Sequence, residues 1–304
     1  MSLTNLQIGW HTTISPSVVK GLSHIIQTHH DGKSTYKYAA QIFLKSPMCA
    51  GSCKLTAIDC QNVKEFLQQN DMYIVIHGQY IINFIKTDIE WAIKSVIQDL
   101  KMVDQMVSNP SSTTLRGDGP STGVIIHMGK NTEHYSVETC IDNFYKNIKQ
   151  VLETPFQSKL ILETSTKTKN GNDVFYDIKV FGQLVRYLKE KLTSEQYDRI
   201  GYCIDTCHVF ASGYDIRTRE GFTDFIELWN SEIGRLTVFH LNDSKVGLCC
   251  CRDLHQQIGK GFIYSDHKDG LQALLEYAKE NNIPVILETA GDQKEELNLI
   301  QTLI

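Results

Sequence analysis

Two short stretches concentrate side chains that bind metal ions. In GYCIDTCH, Asp205 and His208 stand three positions apart, and in RDLH, Asp253 and His255 stand two apart. Either pair can chelate one cation. A second group consists of single residues that close apolar runs: His77 in YIVIHG, His127 in GVIIHMG, Glu163 in KLILETS, His240 in LTVFHLND and Glu288 in PVILET. A lone histidine after an apolar run is more often a hydrogen-bonded surface residue than a ligand. Nine such residues with the same chemistry argue for a metal centre instead. Imidazole and carboxylate without an evident thiolate suit zinc, manganese or iron, and zinc leads because catalytic zinc keeps open coordination positions. Nine groups are too many for one ion; with one bridging carboxylate they supply about three ions with three or four protein ligands each.

Other motifs offer less. The nine cysteines are an odd number scattered over core-like and loop-like segments, which reads as free thiols rather than a disulfide framework. Neither Cys49 and Cys53 in PMCAGSC nor the run Cys249, Cys250, Cys251 matches a zinc-ribbon spacing with a second pair. A disulfide between Cys49 and Cys53 stays open, since a short glycine-containing loop can bring them together. Gly259, Lys260 and Gly261 lack the preceding glycine and following Ser or Thr of a phosphate-binding P-loop.

The elements that would position these residues follow from periodicity. Eight short apolar runs recur along the chain: LQIGWH, AAQIFLK, YIVIHG, GVIIHMG, KLILETS, RIGYCIDTCH, LTVFHLND and PVILET. Each has the length of a strand buried on both faces, and amphipathic stretches such as 88–106 and 176–191 separate them. Strand and helix alternating eight times predicts an α/β fold, a single (β/α)8 TIM barrel. Polarity returns at the ends of the runs, at His11, His77, His127, Glu163, Asp205, His240 and Glu288. The C-terminal strand ends of such a barrel build one site, so residues distant in sequence would meet around its axis. A doubly wound sheet would show glycine-rich phosphate turns after its early strands, and none is present.

At the scale of the whole chain, 304 residues fit one domain over 1–304, with a surface insertion rich in Ser, Thr, Gly and Pro at 108–122, on the side away from the chemistry. The start lacks a signal-peptide pattern and no run approaches the roughly 18 apolar residues of a membrane span, so a soluble, intracellular protein is expected. A net charge of −5 argues against a generally basic nucleic-acid-binding surface. Three divalent ions would add about +6 in one place and reverse that balance locally.

The stretches HGQYIIN, ILETS, GYCIDTCHVFASGYD, FHLNDSK, RDLHQQIGKG and ILET, in that order, resemble the endonuclease IV type of apurinic/apyrimidinic endonuclease from the first strand to the last. The resemblance implies three metal ions: one held by His77 and His127, a second by Asp205, His240 and Glu288, and a third by His208, Asp253 and His255. Glu163 would bridge the first two. Zinc is implied, with manganese an alternative at one site. Glu163 and Glu288 would be the catalytic carboxylates, and the substrate double-stranded DNA with abasic sites, cut 5′ to the lesion by a monomer to leave a 3′-hydroxyl and a 5′-deoxyribose phosphate. Tyr80 and Ile81 match positions that enter the duplex, and Lys45, Lys245 and Lys260, with Lys130 and Lys167, are candidates for phosphate contacts. The chain departs from the pattern at Met48, where relatives often carry arginine, and in HMGK after His127.

Two other readings compete. A sugar isomerase or epimerase of the related barrels needs only Glu163, Asp205, His240 and Glu288, and leaves the other five ligands idle. A damage-binding module without chemistry would be expected to lack a ligand, whereas all nine are present.

Overall fold

The computed structural model describes residues 6–29, 36–107 and 121–304. The strands are β1 (Gln7–His11), β2 (Lys37–Ile42), β3 (Tyr73–His77), β4 (Gly123–His127), β5 (Lys159–Glu163), β6 (Ile200–Asp205), β7 (Val238–His240), β8 (Asp243–Ser244), β9 (His255–Gln256) and β10 (Val285–Leu287). The helices are α1 (Val18–His29), α2 (Ala57–Gln69), α3 (Glu90–Met106), α4 (Val137–Leu152), α5 (Ile178–Lys191), α6 (Ser194–Asp198), α7 (Thr206–Ser212), α8 (Arg219–Glu232), α9 (Asp269–Glu280) and α10 (Lys294–Leu303).

Eight of these strands close a parallel barrel in the order β1-β10-β7-β6-β5-β4-β3-β2, as the alternating runs predict. Every predicted run holds a barrel strand, while β8 and β9 form a separate antiparallel pair on the excursion between β7 and β10. The helices predicted over 88–106 and 176–191 start two residues later than the pattern suggests, at Glu90 and Ile178. Asp177 explains the second start: its carboxylate accepts from the Lys179 N–H and so caps the helix. All but Ser121 and Thr122 of the expected insertion lies outside the described residues.

Side chains alternate across each strand with a period of two, and that alternation builds the site. Ala39, Tyr73, Val75, Ile125, Ile161, Cys203, Val238 and Ile286 fill the barrel interior as one buried cluster. Two residues further along, on the same inward face, stand Gln41 on β2, His77 on β3, His127 on β4, Glu163 on β5, Asp205 on β6, His240 on β7 and Glu288 after β10. On β1 the corresponding pair is Gly9 and His11, which register against Ala39 and Gln41. A Cβ on Gly9 would sit 1.6 Å from the Ala39 carbonyl oxygen, so only glycine allows these strands to approach as they do. The apolar plug below thus pushes a ring of eight polar side chains up to the C-terminal mouth. A larger apolar layer between strands and helices carries the rest of the core.

Candidate metal centre

Most of the ring is almost sealed from solvent. Asp205 and His240 are 0% exposed, Glu163 1% and His77 2%. Carboxylates so buried need compensating positive charge, and the neighbours are imidazoles. Glu163 Oε1 faces His240 Nδ1 at 2.8 Å, while its Oε2 lies 3.1 Å from His127 Nε2 and 3.4 Å from His77 Nε2. His240 Nδ1 is also 3.2 Å from Glu288 Oε2 and 4.0 Å from Asp205 Oδ2. Glu163 therefore stands between a histidine pair on one side and a group containing Asp205, His240 and Glu288 on the other.

A third group forms beside it. Asp205 caps α7: its Oδ1 accepts from the His208 backbone N–H at 3.0 Å, which puts His208 three residues on at the same mouth. His208 Nε2 lies 3.1 Å from Asp253 Oδ2, and His255 Nε2 lies 3.0 Å from Asp253 Oδ1 and 3.5 Å from Asp205 Oδ2. The cysteine run positions Asp253. Cys249 and Cys251 take left-handed backbone angles, φ 59° and 58°, and their N–H groups donate to Phe210 O and Ala211 O at the end of α7. All nine cysteines are free thiols, Cys49 and Cys53 among them, so the short-loop disulfide is not formed. Cys207, buried beside Asp253 and His255, has its thiol pushed up to about 12 by burial and stays protonated.

The residues fit divalent cations. His77 Nδ1 hydrogen-bonds to Gly78 O at 2.7 Å and His208 Nδ1 to Thr164 O at 2.8 Å, which leaves Nε2 of each turned into the site as an acceptor. Such outer partners fix the tautomer that a metal ligand requires. Glu163 Oε2 and His255 Nε2 are buried with close neighbours of ligand type, yet neither has a hydrogen-bond partner among the described residues. Asn242 braces two carboxylates, its Nδ2 donating to Asp205 Oδ2 at 2.7 Å and to Glu288 Oε2 at 3.2 Å. Sequence reading passed over Asn242, quoted only as part of a motif, and Gln41, the polar residue in the otherwise apolar AAQIF.

The electrostatics point the same way. Burial alone would raise the Glu163 carboxyl, but His240 and His127 outweigh it and hold the group well below the usual carboxylate range. Glu288 is held at about 2, burial being overcome chiefly by His240. Burial would neutralise His255, yet the carboxylates of Asp205 and Asp253 push it up to about 9. His208 is raised well above its ordinary value against burial, by Asp205 and Asp253. Without metal, imidazolium protons supply the positive charge that cations would otherwise bring. His11 at the rim behaves oppositely: burial lowers it to about 4, so it is neutral.

Beyond the ligands, the mouth holds a cavity of about 340 Å³ lined also by Tyr80 and Lys245. Tyr80 is 42% exposed and Ile81 41%. The Tyr80 ring stacks on His127 (centroids 5.1 Å, planes at 15°) and meets Phe43 edge-on. Lys260 is exposed and paired with Glu295 at 2.6 Å, and Lys167 lies over the Tyr176 ring. Lys45 requires a correction. It is buried, forms an ion pair with Asp99 at 3.0 Å and donates to Ser95 O and Oγ at 2.8 Å, so it cannot reach a phosphate. A cleft of about 580 Å³ with Asp104, Phe156 and Arg199 opens between the loops that precede β5 and β6, at the opposite end of the barrel, and among the described residues none of the metal-ligand groups lies there.

A family model described as a xylose isomerase-like TIM barrel matches residues 38–303. A protein of Acanthamoeba polyphaga mimivirus, provisionally named endonuclease 4, is 33% identical over 295 residues, covering 94% of this chain and 86% of its own. The chain belongs to the endonuclease IV family. Apurinic-apyrimidinic endonuclease 1 of Saccharomyces cerevisiae is 33% identical over 273 residues, 84% of this chain and 65% of its own. Endonuclease IV from Thermus thermophilus superposes with a TM-score of 0.74 at 20% identity, covering 97% of this chain and 98% of that one. A D-tagatose 3-epimerase-like protein does so at 0.67 and 16%, covering 97% and 96%. At those identities the likeness is one of fold, which endonuclease IV shares with sugar epimerases, and the ligand set must separate them.

Proposed function

We propose that this endonuclease IV family member hydrolyses the phosphodiester bond 5′ to an abasic site in double-stranded DNA, leaving a 3′-hydroxyl and a 5′-deoxyribose phosphate. The observation that carries the reading is the convergence of nine ligand side chains at one mouth. An isomerase would use only Glu163, Asp205, His240 and Glu288. His77, His127, His208, Asp253 and His255 would have no part in that chemistry, and they add ligand groups on both sides of the Glu163 and Asp205 carboxylates.

Three divalent ions are assigned here, zinc first and manganese an alternative at one position. They would be held by His77, His127 and Glu163; by Glu163, Asp205, His240 and Glu288; and by His208, Asp253 and His255. Bound there, such ions supply Lewis acidity to phosphate oxygens and bring the pKa of water towards neutrality. The chain's own residues do the positioning. Glu163, central among the groups and anionic, orients the attacking water, and Glu288, beside His240, helps to fix it. The water gives up a proton to solvent, its oxygen bonds to phosphorus as the bond from phosphorus to the 3′-oxygen breaks, and that oxygen departs in line and takes a proton from solvent.

Damage is selected by shape. A nucleotide without a base is unstacked and swings out at lower cost than a paired one. Tyr80, held upright by His127 and Phe43, and Ile81 beside it fill the gap. Lys245 at the cavity and Lys260, whose exposed pair with Glu295 costs little to exchange, meet the backbone. One chain provides all nine ligands, so a monomer suffices. Analysis of the cut ends tests the reading: a DNA polymerase should extend the new 3′ end directly. An unsaturated aldehyde at that end would mean lyase chemistry and would overturn it.

A further inference from the structure

On seven strands the inward residue at the mouth is an imidazole or a carboxylate; on β2 it is Gln41, an amide that binds no metal of this class well. Gln41 is 0% exposed, and all its hydrogen-bonding groups are engaged. Its Oε1 lies 2.8 Å from His240 Nε2, and its Nε2 donates to Glu288 Oε1 at 2.6 Å and faces His11 Nδ1 at 3.3 Å. Reversing the amide would press its carbonyl oxygen against Glu288 Oε1, so chemistry fixes which end faces which neighbour. His240 must then donate from Nε2, so Nδ1, which here bonds to Glu163 Oε1 at 2.8 Å, is the nitrogen left to take a cation, and it is directed at Glu163, Glu288 and Asp205.

We propose that Gln41 is a positioning residue that clamps His240 and Glu288 from behind, holding His240 in the Nε2–H tautomer and Glu288 with its other oxygen turned inward, and so sets the affinity of the ion between Asp205, His240 and Glu288. One amide does two tasks. As an acceptor it selects the imidazole tautomer; as a donor it occupies the carboxylate oxygen that would otherwise let Glu288 rotate. The proposal rests on the metal-centre reading above. Outer partners of this type alter metal affinity by about 10- to 100-fold.

The test uses full-length protein loaded with zinc. Metal retained against a graded chelator is measured for wild type, Gln41→Leu, which loses both bonds, and Gln41→Glu, which keeps the acceptor for His240 but turns the donor into a repelling oxygen. Both variants should lose one equivalent of zinc about 10- to 100-fold more easily while the other zinc stays as in wild type. Proton–nitrogen spectra of the histidine rings in zinc-loaded wild type should show His240 protonated at Nε2. Retention within about two-fold of wild type in both variants, uniform loss of all zinc, or His240 protonated at Nδ1 would each overturn the proposal. The wild-type spectrum decides the matter even if a variant does not fold. Wild type that binds no zinc at all would sink the metal-centre reading itself.

Discussion

His77, His127 and His240 converge on Glu163 and address its two oxygens. Glu163→Gln keeps the volume and removes the charge. Its turnover should fall by about 10²- to 10⁴-fold, with loss of bound metal measured in parallel; a variant of full activity would remove Glu163 from the chemistry. The histidines make a pH prediction for metal-free protein. His255 has its folded pKa raised from 6.5 to about 9, and His208 is raised well above 6.5. A raised folded value means stability that is fully present below the unfolded value and lost as pH climbs through the folded one. Chemical denaturation of metal-free protein should therefore show stability declining from pH 6.5 to about 9, and metal-loaded protein should not show that decline. Zinc binding near pH 7.5 should also release protons, measured by calorimetry in buffers of different ionisation enthalpy. The nine candidate ligands stood out in the sequence because each closes an apolar run or stands in a tight pair, and the fold brings them to one mouth. Gln41 did not, since a lone glutamine inside a strand gives no chemical signal until its partners are known.

The element that carries the exposed Met48 is tied down from inside the protein. Lys45 is locked to Asp99 and Ser95 on α3, Ser95 Oγ donates to Gln79 Oε1 at 2.6 Å, and Gln79 Nε2 donates to Ser46 O at 3.1 Å. The Tyr80 N–H adds a bond to Pro47 O at 2.9 Å. One buried network thus couples residues 46–49 to the Tyr80 and Ile81 loop. Lys45→Met should cost about 3–5 kcal/mol, because it strands a buried carboxylate, and Lys45→Met with Asp99→Leu should recover much of that in denaturant melts. Its salt dependence of DNA binding should match wild type, whereas Lys245→Ala should reduce the slope by about one. An unchanged melting curve for Lys45→Met would mean the pair is dispensable. Sequence reading misplaced Lys45 because a lysine just beyond a strand is usually at the surface; the acid that buries it lies 54 positions away on another element. The strands were easier to read, since barrel strands buried on both faces have few polar interruptions.

Across the whole molecule, the chain carries a net charge of −5, and the described cavity at the mouth sets one lysine, Lys245, among histidines and the carboxylates of Asp253 and Glu288. On the proposed function, DNA binding should depend on bound cations more than on the protein's own surface charge. Removing metal should lower both DNA affinity and thermal stability, and restoring zinc should return them together; DNA affinity unaffected by chelation would contradict this dependence. The barrel itself was legible from eight runs and the helical stretches between them. The β8–β9 excursion was not, because two-residue strands are too short to leave a periodic trace, although it brings His255 to the site. Among the described residues no helix is long and apolar enough to cross a membrane. The most direct measurement of the central claim is incision of a labelled duplex containing one abasic-site analogue, beside an intact duplex, by wild type and Glu163→Gln with metal content counted for each. The account predicts metal-dependent incision 5′ to the lesion by wild type only, with the intact duplex uncut. Fully metallated wild type that leaves the abasic duplex whole would contradict it.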